Sequence, residues 1–401
     1  MTTEPQPKPG LDPSVVALGT VSFLTDVASD MVLPLLPVFL TTVLHASLGS
    51  VGLVDGTADA IASLLRVVSG PLADRSRGRK TLVVAGYGLA AAMRPLLGFS
   101  VAPWQVVAIR GADRVGKGLR SAPRDAWITD VTPPALRARA FGLHRALDNL
   151  GGFVGPLIGL LLHSVLGWDL RRVFLFAALP GALGVVVLLF VRERRKTEAE
   201  HADAQAVRRT RVPLPSSLRT FLALLFVFAL ANASDSFFVT WAKVKLGASD
   251  AAILIGWTLF TGLRALIAQP GSLLSDRLGR RGSLLIGWTV FAVSYALASF
   301  ATSPVAFCGV LVLYAGYYGL TEGAERALVA DLAPAGARGW AFGLFHGTIG
   351  LAALPASAGF GAIADRWGMP LAFRISAGLA LAASIGLAAL IRGQRGSPAS
   401  R

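Results

Sequence analysis

Apolar residues in this chain come in long runs broken by short polar turns, with neither the alternation of a strand nor the single stripe of a soluble amphipathic helix. A helix that crosses a bilayer needs roughly 20 mostly apolar residues. Twelve stretches qualify: 15–43, 49–72, 80–99, 104–128, 139–166, 170–191, 218–245, 250–274, 282–301, 304–329, 338–364 and 370–391. The turns between them are short except at 192–217, RERRKTEAEHADAQAVRRTRVPLPSS, which is charged and mostly polar and contains two prolines. That segment divides six spans from six. The pattern predicts an all-α membrane protein of 12 transmembrane helices in two six-helix bundles. The expected layout is an N-terminal tail at 1–14, bundles at 15–191 and 218–391, a linker at 192–217 and a tail at 392–401. The first 14 residues are polar and proline-rich, unlike the charged-then-apolar layout of a cleavable signal.

Composition sharpens this picture. Charged residues make up 15% of the 401 and apolar ones 54%, against about 25% charged in soluble domains. Yet 38 Lys and Arg outnumber 23 Asp and Glu, for a net charge of +15. A basic excess can serve nucleic-acid binding. In so apolar a chain it fits cytoplasmic loops better, so no nucleic-acid partner is expected. With the N-terminus inside, cytoplasmic loops, linker and tails hold 22 of the basic residues and outside loops hold six. Both termini are therefore expected in the cytoplasm, with the chain multi-pass in the cell inner (plasma) membrane as a monomer. Cys308, the single cysteine, can form no internal disulfide.

The two halves repeat each other at an offset near 201. Gly70–Lys80 (GPLADRSRGRK) follows the second span and Ser272–Arg281 (SLLSDRLGRR) follows the eighth. Asp130 and Arg137 match Asp331 and Arg338, and Ala140–Leu143 matches Ala341–Leu344. An Ala-Ser-Asp recurs at Ala28–Asp30 and Ala233–Asp235. Such ordered matches indicate a duplicated six-helix unit, the architecture of transporters that rock two bundles about a midplane site.

With its basic linker and Asp-Arg…Gly-Arg turns, the chain resembles the major facilitator superfamily over nearly its whole length. The family's loop pattern GxLaDRxGRK is met by Gly70, Leu72, Ala73, Asp74, Arg75, Gly78, Arg79 and Lys80, with one residue inserted before Gly78. The second copy carries Ser272 in place of the glycine and keeps Asp276 and Arg277. Arg114 and Gly118 meet the helix-4 pattern RxxxG. Gly151, Gly155, Pro156 and Gly159 meet the helix-5 pattern GxxxGPxxG, which in this family is typical of proton-driven exporters. The resemblance implies a gating role for these loop and helix-5 residues. The physical alternatives are that the loop charges cap helix ends and that the glycines only pack helices closely.

Embedded charge is the strongest functional signal. With charges at span ends and those counted with the loops set aside, ten basic and ten acidic residues fall within the predicted spans. On insertion scales each costs about 2.5–3.5 kcal/mol at the bilayer centre, so most must face a partner or a wet cavity. Asp26 and Asp30 share a face of the first span, while Arg110, Arg114, Lys117 and Arg124 form a stripe down the fourth with Arg120 beside it. In the family resembled, helices 1, 4, 7 and 10 line the cavity. The seventh span offers Asn232, Asp235 and Trp241, and the tenth offers Tyr314, Tyr318, Glu322 and Glu325. An acid that alternates between a dry setting and one beside a cation can take up and release a proton. Asp26 and Asp30 are the first candidates for that role, followed by Glu322, Asp59 and Asp235. Arg114, Lys117, Arg120, Asn232, Trp241, Tyr314, Tyr318 and Glu325 are the candidate substrate contacts. Arg110 and Arg124 read as snorkelling near span ends, and Asp55 as an outer-surface residue.

The five histidines show no metal-ligand spacing and no GxxxxGK[ST] occurs, so neither a metal, a cofactor nor ATP is expected. Nor does any nucleophile constellation suggest an enzyme. The expected function is proton-coupled export of a small organic molecule, anionic or zwitterionic, by alternating access. The alternative is a proton symporter that imports an organic anion or metabolite.

Overall fold

The computed structural model describes residues 11–75, 79–132, 137–191, 215–333 and 338–395. All regular structure among them is helical. Twelve rods follow in order: α1 (Pro13–Val43), α2 (Leu48–Arg75), α3 (Lys80–Phe99), α4 (Pro103–Asp130), α5 (Arg137–Leu160, prolonged by one wide turn to Val165), α6 (Leu170–Phe190), α7 (Ser216–Val244), α8 (Asp250–Leu278), α9 (Arg280–Ala298), α10 (Pro304–Leu332), α11 (Arg338–Trp367) and α12 (Met369–Arg395). Eleven are long and apolar enough to cross a membrane. The exception is α4, whose Arg110, Asp113, Arg114 and Arg120 are buried among the helices. Leu259 (66% exposed), Leu266 (75%) and Ile385 (63%) lie on the outer surface, where lipid hydrocarbon would cover them.

Local chemistry sets the helix starts. Asp12, Asp169, Ser249 and Ser303 accept backbone N–H bonds at the starts of α1, α6, α8 and α10. The turns carry the duplication into the backbone. Gly167 and Gly368, 201 residues apart, have φ of 69° and 88° in equivalent turns. His45 (φ 49°) and Gly247 (φ 63°) form a second such pair. A left-handed turn is inexpensive for glycine, so His45 shows that the turn geometry persists where the glycine does not.

The twelve rods put the start of α1 and the end of α12 on one face, here called the terminal face, with the far face opposite. Helices α1–α6 pack as one bundle and α7–α12 as the other. The bundles meet along two seams, α2 against α11 and α5 against α8. The internal two-fold exchanges these seams, since α2 corresponds to α8 and α5 to α11. Backbones approach closely there: a Cβ on Gly52 of α2 would lie 2.1 Å from the Ser357 carbonyl oxygen of α11. Near the far face the bundles share an apolar core in which Leu36, Phe39 and Val54 meet Val239 and Leu254. Asp365 of α11 accepts the Leu48 and Gly49 amides at the start of α2, at 2.8 and 2.7 Å. On the terminal side a polar pair joins the bundles instead, with Arg145 Nη2 of α5 at 3.0 Å from Glu322 Oε1 of α10.

Candidate functional site

Two helices lose their regular course at equivalent places. In α1 the α-helix stops at Asp30, and a tight turn over Leu33–Leu35 follows, where Pro34 and Pro37 withhold backbone donors. In α7 regular helix ends at Ala231 and resumes at Ser236, leaving Asn232–Asp235 as an open strap. The two Ala-Ser-Asp copies sit at these interruptions. Interrupted helices at matching positions of two repeats are how transporters build midplane sites.

Both interruptions face one cavity of about 530 Å³ between the bundles, within the range of small-molecule sites. The first bundle lines it with Asp26, Asp30, Asp55, Asp59, Arg110, Arg114 and Lys117, the second with Asn232, Asp235, Arg264, Tyr317, Tyr318 and Glu325. Six carboxylates and four cations thus share the walls.

In the first bundle Asp113, buried beside the wall, anchors the cations. Arg94 Nε lies 3.0 Å from it, Arg114 Nε 3.6 Å and Arg110 Nη1 3.7 Å. Arg94 also donates to the Thr25 carbonyl of α1 at 2.8 Å, which ties α1, α3 and α4 together. Arg110 reaches Asp55 at 3.7 Å. Asp55 in turn accepts Ser234 Oγ from the α7 strap at 2.8 Å, and Ser357 Oγ accepts the Ser234 amide at 3.1 Å. A hydrogen-bonded line therefore crosses from one bundle to the other at the cavity.

In the second bundle Asp235 is the hub. Tyr314 Oη donates to it at 2.6 Å and Tyr318 Oη at 3.0 Å, and Arg264 lies at 3.7 Å. The Arg264 guanidinium stacks over the Tyr318 ring at 3.5 Å. Asn232 donates to Tyr317 Oη at 3.2 Å, and Trp288 Nε1 to Glu325 at 3.4 Å.

Of the predicted coupling and contact residues, Asp26, Asp30, Asp59, Asp235, Arg114, Lys117, Asn232, Tyr318 and Glu325 come together on the cavity wall. Four others do not. Arg120 lies six residues beyond Arg114, about 240° around the helix, and packs over the Tyr87 ring inside the first bundle. Trp241 is 3% exposed and meets Phe373 edge-on in the second core; it lies six residues beyond Asp235, the same step of about 240° around a helix. The Tyr314 ring is fully buried, so it acts from behind by orienting Asp235. Glu322 is 41% exposed and joins Arg145 and Arg326 (3.3 Å) outside the cavity wall.

Among the gating candidates, Arg79 pairs with Asp130, and the equivalent Arg280 pairs with Asp331. Each pair ties two helices of one bundle rather than crossing between bundles. Lys80 donates to the Leu189 and Val191 carbonyls at the end of α6, both at 2.7 Å, a helix cap. Gly78 lies outside the described residues. Gly70, Asp74, Arg75 and Asp276 have helical backbone, but their side-chain surroundings lie outside the description. Arg277 is exposed at the end of α8. Gly151 and Gly155 press α5 against α1: Cβ atoms there would lie 2.5 Å from the Phe23 carbonyl and 2.9 Å from the Val27 carbonyl. Gly159 meets Met31 in the same way, and α5 stays regular past Pro156 to Leu160.

Five residues enter the site unpredicted or under another reading, Arg264 and Tyr317 among them. Asp55 is 5% exposed and lines the cavity rather than the outer surface, and Arg110 is 6% exposed and paired rather than snorkelling. The four-residue spacing of Asp55 and Asp59, the same as that of Asp26 and Asp30, was the signal available for the first. Ser234 carried none, since its partners lie 179 and 123 residues away.

Comparison with known proteins agrees with this architecture. The Major Facilitator Superfamily profile matches residues 18–263 and 220–401. An uncharacterized MFS-type transporter of Methanocaldococcus jannaschii is 33% identical over 352 residues, covering 86% of this chain and 87% of that protein. The multidrug resistance protein MdtH of Aeromonas hydrophila is 26% identical over 346 residues, covering 84% and 83%. A crystal structure of the peptide transporter POT in complex with sulfate superposes with a TM-score of 0.78 at 16% identity, covering 96% of each chain.

Proposed function

The chain belongs to the major facilitator superfamily, and from that premise we propose that it is a proton-coupled exporter of a small organic molecule carrying charges of both signs. It is a multi-pass membrane transporter and not an enzyme. The observation that carries the proposal is the matched pair of helix interruptions. Each bundle presents an aspartate, Asp30 or Asp235, to the same cavity, with Arg114 or Arg264 on its own side of that cavity.

Carboxylates beside cations in a membrane-enclosed cavity suit alternation between a proton and a substrate as the cation's competitor. A cationic group of the substrate that pairs with an aspartate displaces its proton, while the substrate's anionic group draws on Arg114, Lys117 or Arg264. Six lining acids against four cations fit a zwitterion better than a plain anion. Rocking about the α2–α11 and α5–α8 seams would expose the cavity to each face in turn.

The direction of transport draws support from the GxxxGPxxG pattern and from the relative named a multidrug resistance protein. The basic turns and linker support a cytoplasmic terminal face in the plasma membrane. The other reading, symport of an organic anion, draws on the buried cations of α4. A thermal-shift ligand screen on the purified protein, followed by flux in proteoliposomes under an imposed pH gradient, separates the two. Export requires substrate to move against the proton gradient, and accumulation along with protons overturns it.

A further inference from the structure

One titratable group takes no part in the cavity yet sits where the bundles meet. His163 lies in the wide turn that ends α5, at the far face. Its Nδ1 is 2.7 Å from the Trp168 carbonyl oxygen and its Nε2 is 2.9 Å from Asp250 Oδ2. Both neighbours are acceptors only. A neutral imidazole carries one N–H and can satisfy one of them, whereas an imidazolium satisfies both. Asp250 belongs to the other bundle, at the start of α8, and its second oxygen accepts Lys243 Nζ of α7 at 2.5 Å. Lys243 and Asp250 thus hold each other within one bundle, and His163 is the member that reaches across.

We propose that His163 is a proton site on the far face, whose proton fastens the two bundles there and whose loss lets that face open. The other charges near it are committed elsewhere. Arg171 of α6 donates to the Gly98 and Ser100 carbonyls at 2.9 and 2.7 Å and lies over the Phe39 ring. Arg172 faces Asp169 at 3.5 Å on the exposed surface. The imidazole is 19% exposed and Asp250 23%, so a proton can arrive from the far-side solution. It enters and leaves on the same side, so it regulates the transport cycle rather than driving it. Acid on the far side would favour closure there, the direction an exporter needs after releasing its substrate. The inference rests on alternating access in the functional reading above, but not on proton-driven flux.

The test uses distance measurement between spin labels. Cys308→Ser removes the one native cysteine, and labels go at Val165 and Val244, exposed helix ends on opposite bundles near the cluster. The protein is measured in lipid nanodiscs without substrate or gradient, from about pH 5 to about pH 8. The expected result is a closed-to-open ratio that rises roughly fivefold or more on acidification. His163→Gln should flatten this response, and Asp250→Asn should weaken it while leaving the imidazole in place. Each variant is first required to elute and melt like the parent. A parent whose distances ignore pH, or a His163→Gln protein that keeps the parent's response, overturns the proposal. If His163→Gln flattens the response while flux proves independent of the proton gradient, this inference stands and the exporter reading fails.

Discussion

Asp30 and Asp235 occupy the same place in the two halves: each ends an Ala-Ser-Asp at the point where its helix loses regularity, and each faces the shared cavity. Their surroundings differ. Asp235 is fixed by two tyrosine hydroxyls and flanked by Arg264, while Asp30 faces a bundle whose cations are anchored through Asp113. Asp30→Asn should therefore abolish pH-driven transport, with at least a tenfold loss, and leave elution and melting unchanged. Asp235→Asn should lower both transport and stability, because the two hydroxyl donors exchange a charged acceptor for a neutral amide oxygen and bonds worth about 1.5–3 kcal/mol each are weakened. Proteoliposome flux and thermal unfolding check both. Unchanged flux in Asp30→Asn would remove that residue from the mechanism.

Asp113 is structural. It is 2% exposed and faces three arginines. Asp113→Asn should destabilise the first bundle by about 3–5 kcal/mol, since uncompensated buried charge remains. The pair Arg94→Met with Asp113→Asn should recover part of that loss in a thermal-unfolding cycle. Equal stability of the single variant and the parent contradicts the assignment.

The α2–α11 seam closes through the absence of a side chain at Gly52. Gly52→Val should prevent far-face closure, because its Cβ would meet the Ser357 carbonyl. Cysteines introduced at Ser47 and Asp365 in a Cys308→Ser background report this through a short bifunctional maleimide. Crosslinking should fall severalfold, and parent-level yield would show that the seam accommodates the side chain.

The helix-5 pattern separates packing from hinging. Gly151→Leu should impair folding, because Gly151 sits against the α1 backbone. Pro156→Ala should leave both fold and flux near parent levels if the pattern serves packing, since α5 runs regularly through Pro156. Normal folding with lost flux in Pro156→Ala would instead assign it a gating role.

Much of this architecture is legible in the sequence because a bilayer demands long apolar runs, and because duplicated turns leave Asp130 and Asp331, or Arg79 and Arg280, at one offset. Matching these residues across the repeat required nothing beyond that offset, whereas the ion pairs Arg79–Asp130 and Arg280–Asp331, each within one bundle, needed the structure. The break in α7 is harder to see. Asn232–Asp235 holds no proline or glycine, so an uninterrupted helix is the natural reading. Arg120 and Trp241 fail for a simpler reason, the angular drift of a six-residue step. Ser234 illustrates what periodicity lacks: its contact with Asp55 joins opposite bundles, and no spacing in the sequence marks it.

The central claim is that cavity carboxylates exchange protons against substrate, and one comparison tests it most directly. With a compound selected by thermal shift, substrate counterflow at equal pH is measured beside accumulation driven by a pH gradient, for the parent and for Asp30→Asn in proteoliposomes. The account predicts that Asp30→Asn retains counterflow and loses gradient-driven accumulation. Gradient-driven accumulation at the parent rate in that variant would contradict it.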